Sequence, residues 1–254
     1  MLRLSVKRLQ AVYRYLNHWA EPVYKWRTSI GQCPLCGRRP FLSLGPSPLM
    51  TRCLSCTATV TGLSLIPVMQ RHLGDSASTK DAYELSTYGA TLTWLEKHMH
   101  STTKSEYFPD HPTGTVVGGI LNQDVQKLTF PDASFDLVTS NQVFEHVSDD
   151  VTGYHETYRV LRPGGAMIFS VPLYDTPATV HTAELTNGKV VFFGEPEFHD
   201  SRIGGAKSAP VFWRHSRHDI CSRVMQAGFT TAQLQEVTIA PSQRRPALVV
   251  YAIK

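Results

Sequence analysis

Residues 122–174 read NQDVQKLTFPDASFDLVTSNQVFEHVSDDVTGYHETYRVLRPGGAMIFSVPLY. Two apolar runs, Phe135 to Ser140 and Ala166 to Val171, have the length and composition of buried strands. Between them Tyr154, Thr157, Tyr158 and Leu161 recur at i, i+3, i+4 and i+7, the spacing that puts side chains on one face of a helix. Strand, helix and strand make a βαβ unit, which predicts a parallel sheet. Pro163, Gly164 and Gly165 are expected to stop the helix, because proline lacks the amide donor and glycine accepts a positive φ. Open α/β sheets bind ligands beyond the carboxyl ends of their strands, so Ser140 to His146 and Pro172 to Asp175 are where chemistry is expected.

The ordered pieces QD at 123–124, KLTFPDASFDLV at 127–138, SNQVFEHV at 140–147 and ETYRVLRPGGAMIFSVP at 156–172 resemble the middle of a class I S-adenosylmethionine-dependent methyltransferase of the small-molecule type. The resemblance runs from about Lys80 to the end of the chain. It implies a Rossmann-like sheet, mostly parallel with an antiparallel last strand, and S-adenosylmethionine as cofactor. It also implies methyl transfer to a small-molecule acceptor. DAYELSTYGATLTWLEKH, at 81–98, then falls where the family has its first strand, glycine loop and first helix. Glu84 matches the acid that precedes G-x-G-x-G, but Ser86 replaces the first glycine, Tyr88 stands at the second, and Gly89 with Ala90 is the only small pair. Glu106, closing a second strand at Ser101 to Glu106, lies 22 residues after Glu84, where nucleotide-binding sheets carry the acid that meets the ribose hydroxyls. FPDHPTG cannot propagate the helix expected next. The third strand is placed at Thr115 to Leu121, and Asp124 just after it matches the acid for the adenine amino group. Asn141 and Gln142, after the fourth strand, complete the cofactor set with Glu84, Ser86 and Gly89. A sulfonium is already a good leaving group, so a base is needed only where the acceptor keeps its proton. His146 and His199 are the candidates, each with a plain structural alternative.

Outside this core, residues 1–72 hold ten Lys and Arg against the single acid Glu21, a balance of +9, and the remainder carries −5. Cys33, Cys36, Cys53 and Cys56 read CxxC, sixteen residues, CxxC. Two such knuckles aim four thiolates at one point, the tetrahedron that Zn²⁺ accepts, with two disulfides or a redox dithiol as the competing readings. One zinc on four thiolates adds −2 and leaves this part at about +7. Cys221, within RHDICSRVMQAGF, reads as core. Leu2, Val6, Leu9, Tyr13 and Leu16 mark one face of a basic amphipathic helix, which suits packing on its own domain, a membrane surface or a targeting segment.

The division expected is therefore 1–72, a basic helix with a zinc-ribbon-like module, and 73–254, a methyltransferase domain. Ser64 to Tyr83 connects them. An insertion at about 175–212 interrupts the alternation of strands and helices, with a hairpin turning on Asn187 and Gly188 and with Gly204 and Gly205 as hinges. The last strands are Thr231 to Thr238 and Ala247 to Ile253, joined by APSQRRP. No apolar run is long enough to span a membrane, and the chain reads as soluble and cytoplasmic. Two other functions compete: an RNA methyltransferase gripping phosphates with the basic module, and a non-catalytic binding protein on a methyltransferase core.

Overall fold

The computed structural model describes residues 22–254, so the amphipathic helix expected over residues 1–20 lies outside the described residues. The chain forms two units, one from residues up to Ser64 together with Glu236–Ala247, the other from Leu65–Gln235 together with Leu248–Lys254.

In the first unit, strands β1 (Arg27–Cys33), β2 (Gly37–Ser43) and β3 (Thr51–Cys53) form an antiparallel sheet in that order. Each CxxC sits at a strand end. Cys33 pairs with Gly37 across the first turn, and Gly37 takes the φ of +78° that this turn requires. Phe41, Cys33 and Cys53 are buried beneath the sheet. The segment after Glu236 packs on β1 so closely that a Cβ on Gly31 would lie 2.8 Å from the Ile239 carbonyl oxygen. Ser29 Oγ accepts from the Ser242 amide at 2.9 Å. The sequence APSQRRP, expected simply to join two strands, is thus structural material of the cysteine unit.

Helix α1 (Val60–Leu73) covers much of the expected connector. The second unit holds a six-stranded sheet made from β4 (Asp81–Glu84), β5 (Ser101–Lys104), β6 (Phe135–Asn141), β7 (Leu161–Ser170), β8 (Thr231–Val237) and β9 (Ala247–Ile253), in the order β8-β9-β7-β6-β4-β5. Neighbours β5, β4, β6 and β7 run parallel, and β9 is antiparallel to β7. Helices α2 (Ala90–His98), α3 (Asp150–Val160) and α4 (Ile220–Met225) accompany it. The predicted βαβ unit is β6, α3 and β7. Asp149 caps α3 by accepting from the Thr152 amide at 3.0 Å, and Tyr154 and Thr157 are fully buried.

Two local expectations fail. The helix ends at Val160 and Leu161 already belongs to β7, so Pro163, Gly164 and Gly165 form an irregular start to the strand rather than a helix cap. Gly164 has φ +76°, and a Cβ on Gly165 would stand 2.9 Å from the carbonyl oxygens of Arg162 and Asp136. The third strand over Thr115 to Leu121 is also missing. Gly118 and Gly119, both at positive φ, fold the run TVVGGIL into two-residue strands, Val116–Val117 against Ile120–Leu121. Asn122 fastens this hairpin, donating from Nδ2 to the carbonyls of Phe108, His111 and Pro112.

Within 175–212, strands Ala183–Thr186 and Lys189–Phe192 form the hairpin that turns on Asn187 and Gly188, both at positive φ. A second hairpin pairs Phe198–Ser201 with Gly205–Pro210. Gly204 and Gly205, expected as hinges, lie in its turn, where Gly205 takes φ +93° and a Cβ on Gly204 would meet Ser208. Among the described residues no helix is long and apolar enough to cross a membrane.

Candidate functional site

The carboxyl ends of β4, β5 and β6 are stitched together by the residues singled out above. Glu84 closes β4 with 1% of its surface exposed, and its carboxylate accepts from Thr139 Oγ1 of β6. Burial is the main reason its pKa rises to about 8, with the Thr139 bond opposing and the Glu106 charge adding to the rise. At neutral pH this carboxyl is mostly protonated and belongs to the sheet interior. In the loop that follows, Ser86 Oγ donates to the Tyr88 carbonyl at 2.9 Å and accepts from its amide at 3.2 Å, closing a tight turn. Gly89 begins α2 at φ +113° with nothing within 4 Å of where a Cβ would project. The loop thus keeps one position with backbone open to a ligand.

Glu106 stands two residues past β5, and its Oε1 accepts from the Thr87 amide at 2.8 Å and from Thr87 Oγ1 at 2.7 Å. The second-strand acid is therefore tied to the loop after the first strand. The Gln123 amide donates to the Glu106 carbonyl at 2.9 Å, carrying the edge on to Asp124. Asp124 Oδ1 accepts from the Gln126 amide at 2.9 Å, a side-chain-to-backbone closure of its own turn. Beyond β6, Gln142 takes φ +59°, Asn141 Oδ1 accepts from Ser170 Oγ at 2.8 Å, and Gln142 Nε2 donates to the same hydroxyl at 3.2 Å. Glu84, Ser86, Gly89, Glu106 and Asp124 lie on one hydrogen-bonded edge, while Asn141 and Gln142 are joined to β7.

His146 and His199, 53 residues apart in sequence, meet at this end. His146 Nδ1 lies 2.7 Å from the Pro210 carbonyl oxygen, which can only accept, so Nδ1 carries the hydrogen and Nε2 the lone pair. His199 Nδ1 is 3.2 Å from that lone pair. Burial is the chief cause that takes the His146 pKa down to about 4, and it lowers that of His199 as well. Both rings are neutral at pH 7. Glu145, beside them, is 1% exposed, and neither carboxylate oxygen has a hydrogen-bond partner. Its burial moves the pKa up to about 8. The hairpin that carries His199 also carries Arg202, whose guanidinium lies 4.7 Å from the centre of the Tyr88 ring. That contact spans the edge from the insertion to the glycine-poor loop. Thr87, Thr139, Glu145 and the Pro210 carbonyl escape sequence reading, since only folding shows what they face. A cavity of about 220 Å³ lined by His72, Lys80, Asp136 and Gly164 lies at the amino ends of the strands, away from all of these groups.

Residues 47–169 match the family model described as a methyltransferase domain. A solved S-adenosylmethionine dependent methyltransferase from Mesorhizobium loti corresponds to 75% of this chain and 98% of its own, with TM-score 0.51 at 19% identity. The fold is that of a class I methyltransferase. A probable S-adenosylmethionine-dependent methyltransferase of Mycolicibacterium smegmatis is 40% identical over 121 residues, 42% of this chain and 47% of that protein. A malonyl-[acyl-carrier protein] O-methyltransferase of Halorhodospira halophila is 27% identical over 134 residues, 52% of this chain and 38% of that one. The chain thus spans less than half the length of these curated relatives. Within the methyltransferase fold, the edge assembled here is the one where open α/β sheets place their ligands.

In the first unit, the Sγ atoms of Cys33, Cys36, Cys53 and Cys56 lie within 4.8 Å of one another, with Cys33–Cys56 at 3.7 Å and Cys36–Cys53 at 3.5 Å. A disulfide needs about 2.05 Å. Four sulfurs about 2.3 Å from one zinc stand roughly 3.8 Å apart. The thiols fit a shared metal and are not bonded to each other.

Proposed function

We propose that the chain transfers a methyl group from S-adenosylmethionine to a small-molecule acceptor. The observation that carries this reading is the linked edge: Glu106 held by Thr87, Asp124 following through the Gln123 amide, and Gly89, in the same loop as Thr87, with open space at its backbone. Bound S-adenosylmethionine supplies a methyl group on a sulfonium sulfur. The chain's part is to hold that group in line with the acceptor and to exclude water. Glu106 would take the ribose hydroxyls and Asp124 the adenine amino group, with Asn141 and Gln142 on the β6 side. The hairpin bearing His199 and Arg202 closes over the edge, and His146 and His199 are the groups that would handle the acceptor. Titration calorimetry tests the core of this: binding of S-adenosylmethionine is expected, and no binding at millimolar cofactor overturns it in favour of a non-catalytic protein on the same fold.

The cysteine unit would hold one Zn²⁺ through Cys33, Cys36, Cys53 and Cys56. Protein purified without chelator is expected to carry this metal by elemental analysis. Cys53→Ser should loosen the first unit while the second keeps its melting transition, because each unit buries its own core.

A second reading, RNA as acceptor, is favoured by one observation. In the first unit a cleft is lined by Tyr24, Lys25, Trp26, Arg27 and Arg244, and Tyr24 is 82% exposed. Basic groups with an exposed aromatic ring suit a single strand. Oligonucleotide binding that weakens steeply with salt would support RNA, and its absence leaves the small molecule.

A further inference from the structure

Glu145, His146 and His199 come from a turn after β6 and from a hairpin of the insertion, and three of their atoms converge. His146 Nε2 and His199 Nδ1 are 3.2 Å apart, Glu145 Oε1 is 3.7 Å from the former and 3.8 Å from the latter. Three points at these separations lie on a circle of radius about 2.1 Å, which is the bond length of a divalent transition ion to imidazole nitrogen and carboxylate oxygen.

We propose that Glu145, His146 and His199 form a second metal site, of the two-histidine, one-carboxylate kind, for Zn²⁺ or a chemically similar divalent ion. The two ring nitrogens exclude Mg²⁺ and Ca²⁺, which take oxygen donors. An acceptor stands behind the other nitrogen of each ring, in hydrogen-bond contact for His146. The Pro210 carbonyl holds His146 Nδ1–H and so fixes Nε2 as the donor atom. Glu197 Oε1 lies 3.8 Å from His199 Nε2, beyond hydrogen-bond distance, and a shift of a few tenths of an ångström to about one ångström would let it accept that hydrogen when Nδ1 binds metal. Imidazoles that ligate metals are oriented in this way by a carbonyl or a carboxylate behind them.

A histidine pair that merely closes the loop accounts for the 3.2 Å contact but leaves Glu145 unexplained. A carboxyl group with almost no exposure, facing two ring nitrogens and with no hydrogen-bond partner for either oxygen, leaves buried polar atoms unsatisfied, and a bound cation would complete it. The backbone around Glu145 is pinned as well, since its carbonyl accepts from the Phe212 amide at 2.8 Å. With three protein ligands the ion keeps an open position, which suits an oxygen or nitrogen donor on the acceptor. This role goes beyond the methyl-transfer reading, and the metal itself is measured without cofactor or acceptor.

The test is equilibrium dialysis of the full chain against low-micromolar free Zn²⁺, followed by elemental analysis of wild type, Glu145→Gln and His199→Ala. Wild type is expected to hold one more zinc per chain than either variant, with the four cysteines intact in all three. Glu145→Gln is nearly isosteric and replaces a carboxylate ligand with a weakly ligating amide, so it covers the case in which His199→Ala disturbs the hairpin. Glu197→Gln should weaken the same zinc about 10- to 100-fold without abolishing it. Cobalt locates the loss: the variants should lose weak visible absorption while thiolate charge-transfer absorption from the cysteine site stays unchanged. Equal zinc content in wild type and Glu145→Gln overturns the proposal, as does a loss confined to the thiolate absorption.

Discussion

The two ends of one sheet treat their carboxylates in opposite ways. At the amino ends of β4 and β6, Asp81 and Asp136 share Arg162 at 3.0 and 2.5 Å, Lys80 joins Asp136 at 3.1 Å, and Ser101 donates to Asp81 at 2.7 Å. At the carboxyl ends, Glu84, Glu106, Asp124 and Glu145 form no ion pair with Lys or Arg among the described residues. Glu84 has Thr139, Glu106 has Thr87 and Asp124 has Gln126, while Glu145 faces only the two histidines. Placing acids in a partly desolvated edge without internal cations lowers stability, and folds accept that where a ligand supplies the missing partner. The amino end therefore reads as structure, and the carboxyl end is left with acids that await the cofactor proposed for them.

The sharpest way to break this contrast is through ligand affinity. Glu106→Ala and Asp124→Ala should each weaken S-adenosylmethionine binding roughly fivefold to over a hundredfold, the equivalent of about 1–3 kcal/mol per lost acceptor. Calorimetry on both variants decides it, and unchanged affinity in both would remove the carboxyl edge from the cofactor site. The amino edge should respond in the other currency. Arg162→Ala leaves Asp81 and Asp136 without their shared cation and is expected to cost about 1–2 kcal/mol of stability in denaturant unfolding, discounted because the guanidinium is 38% exposed. Cofactor affinity should not move.

A smaller effect appears on acidification. The Ser101 hydrogen bond first, then His100 and, against the opposing effect of burial, Arg162 take the Asp81 pKa down to about 2. A depressed carboxylate stabilises the fold above its unfolded value near 3.8, and that contribution is lost as pH falls from about 4 to 2. Thermal melts over this range should fall less steeply for Asp81→Asn than for wild type. Glu84→Gln should change the melting temperature least, because the carboxyl it replaces is already mostly neutral at pH 7. A drop of several degrees would show that Glu84 is charged in the folded chain and would erase the contrast.

How much of this the sequence discloses depends on whether the signal is periodic or positional. The βαβ unit is legible because burial imposes a period on Tyr154 and Thr157 and continuous apolar runs on Phe135–Ser140 and Ala166–Val171. Glu106 and Asp124 stand out by position, as acids expected beyond strand ends, and folding brings both to one edge through the Gln123 amide on the Glu106 carbonyl, although the strand expected before Asp124 does not form. Thr115–Leu121 misleads because its valines suit a strand, while the positive φ at Gly118 and Gly119 lets the chain reverse in the middle. The Arg162 cluster and the meeting of His146 with His199 have no local pattern, since their members come from distant segments. Glu145 adjoins His146 in the chain, yet nothing in that adjacency says that its carboxylate is buried without a donor.

The cysteine unit takes its last piece from the far end of the chain. Its thiols are made first, but Gly31 and Ser29 are covered only by Ile239–Ser242, more than two hundred residues later. During synthesis most of the methyltransferase sheet emerges before that cover exists, so the first unit to be started is among the last to be finished. Contacts at such separation form slowly, so the sheet of the first unit waits on this later segment for its cover. A fragment ending before Glu236 would keep the cysteines and lose the segment that packs on Ser29 and Gly31.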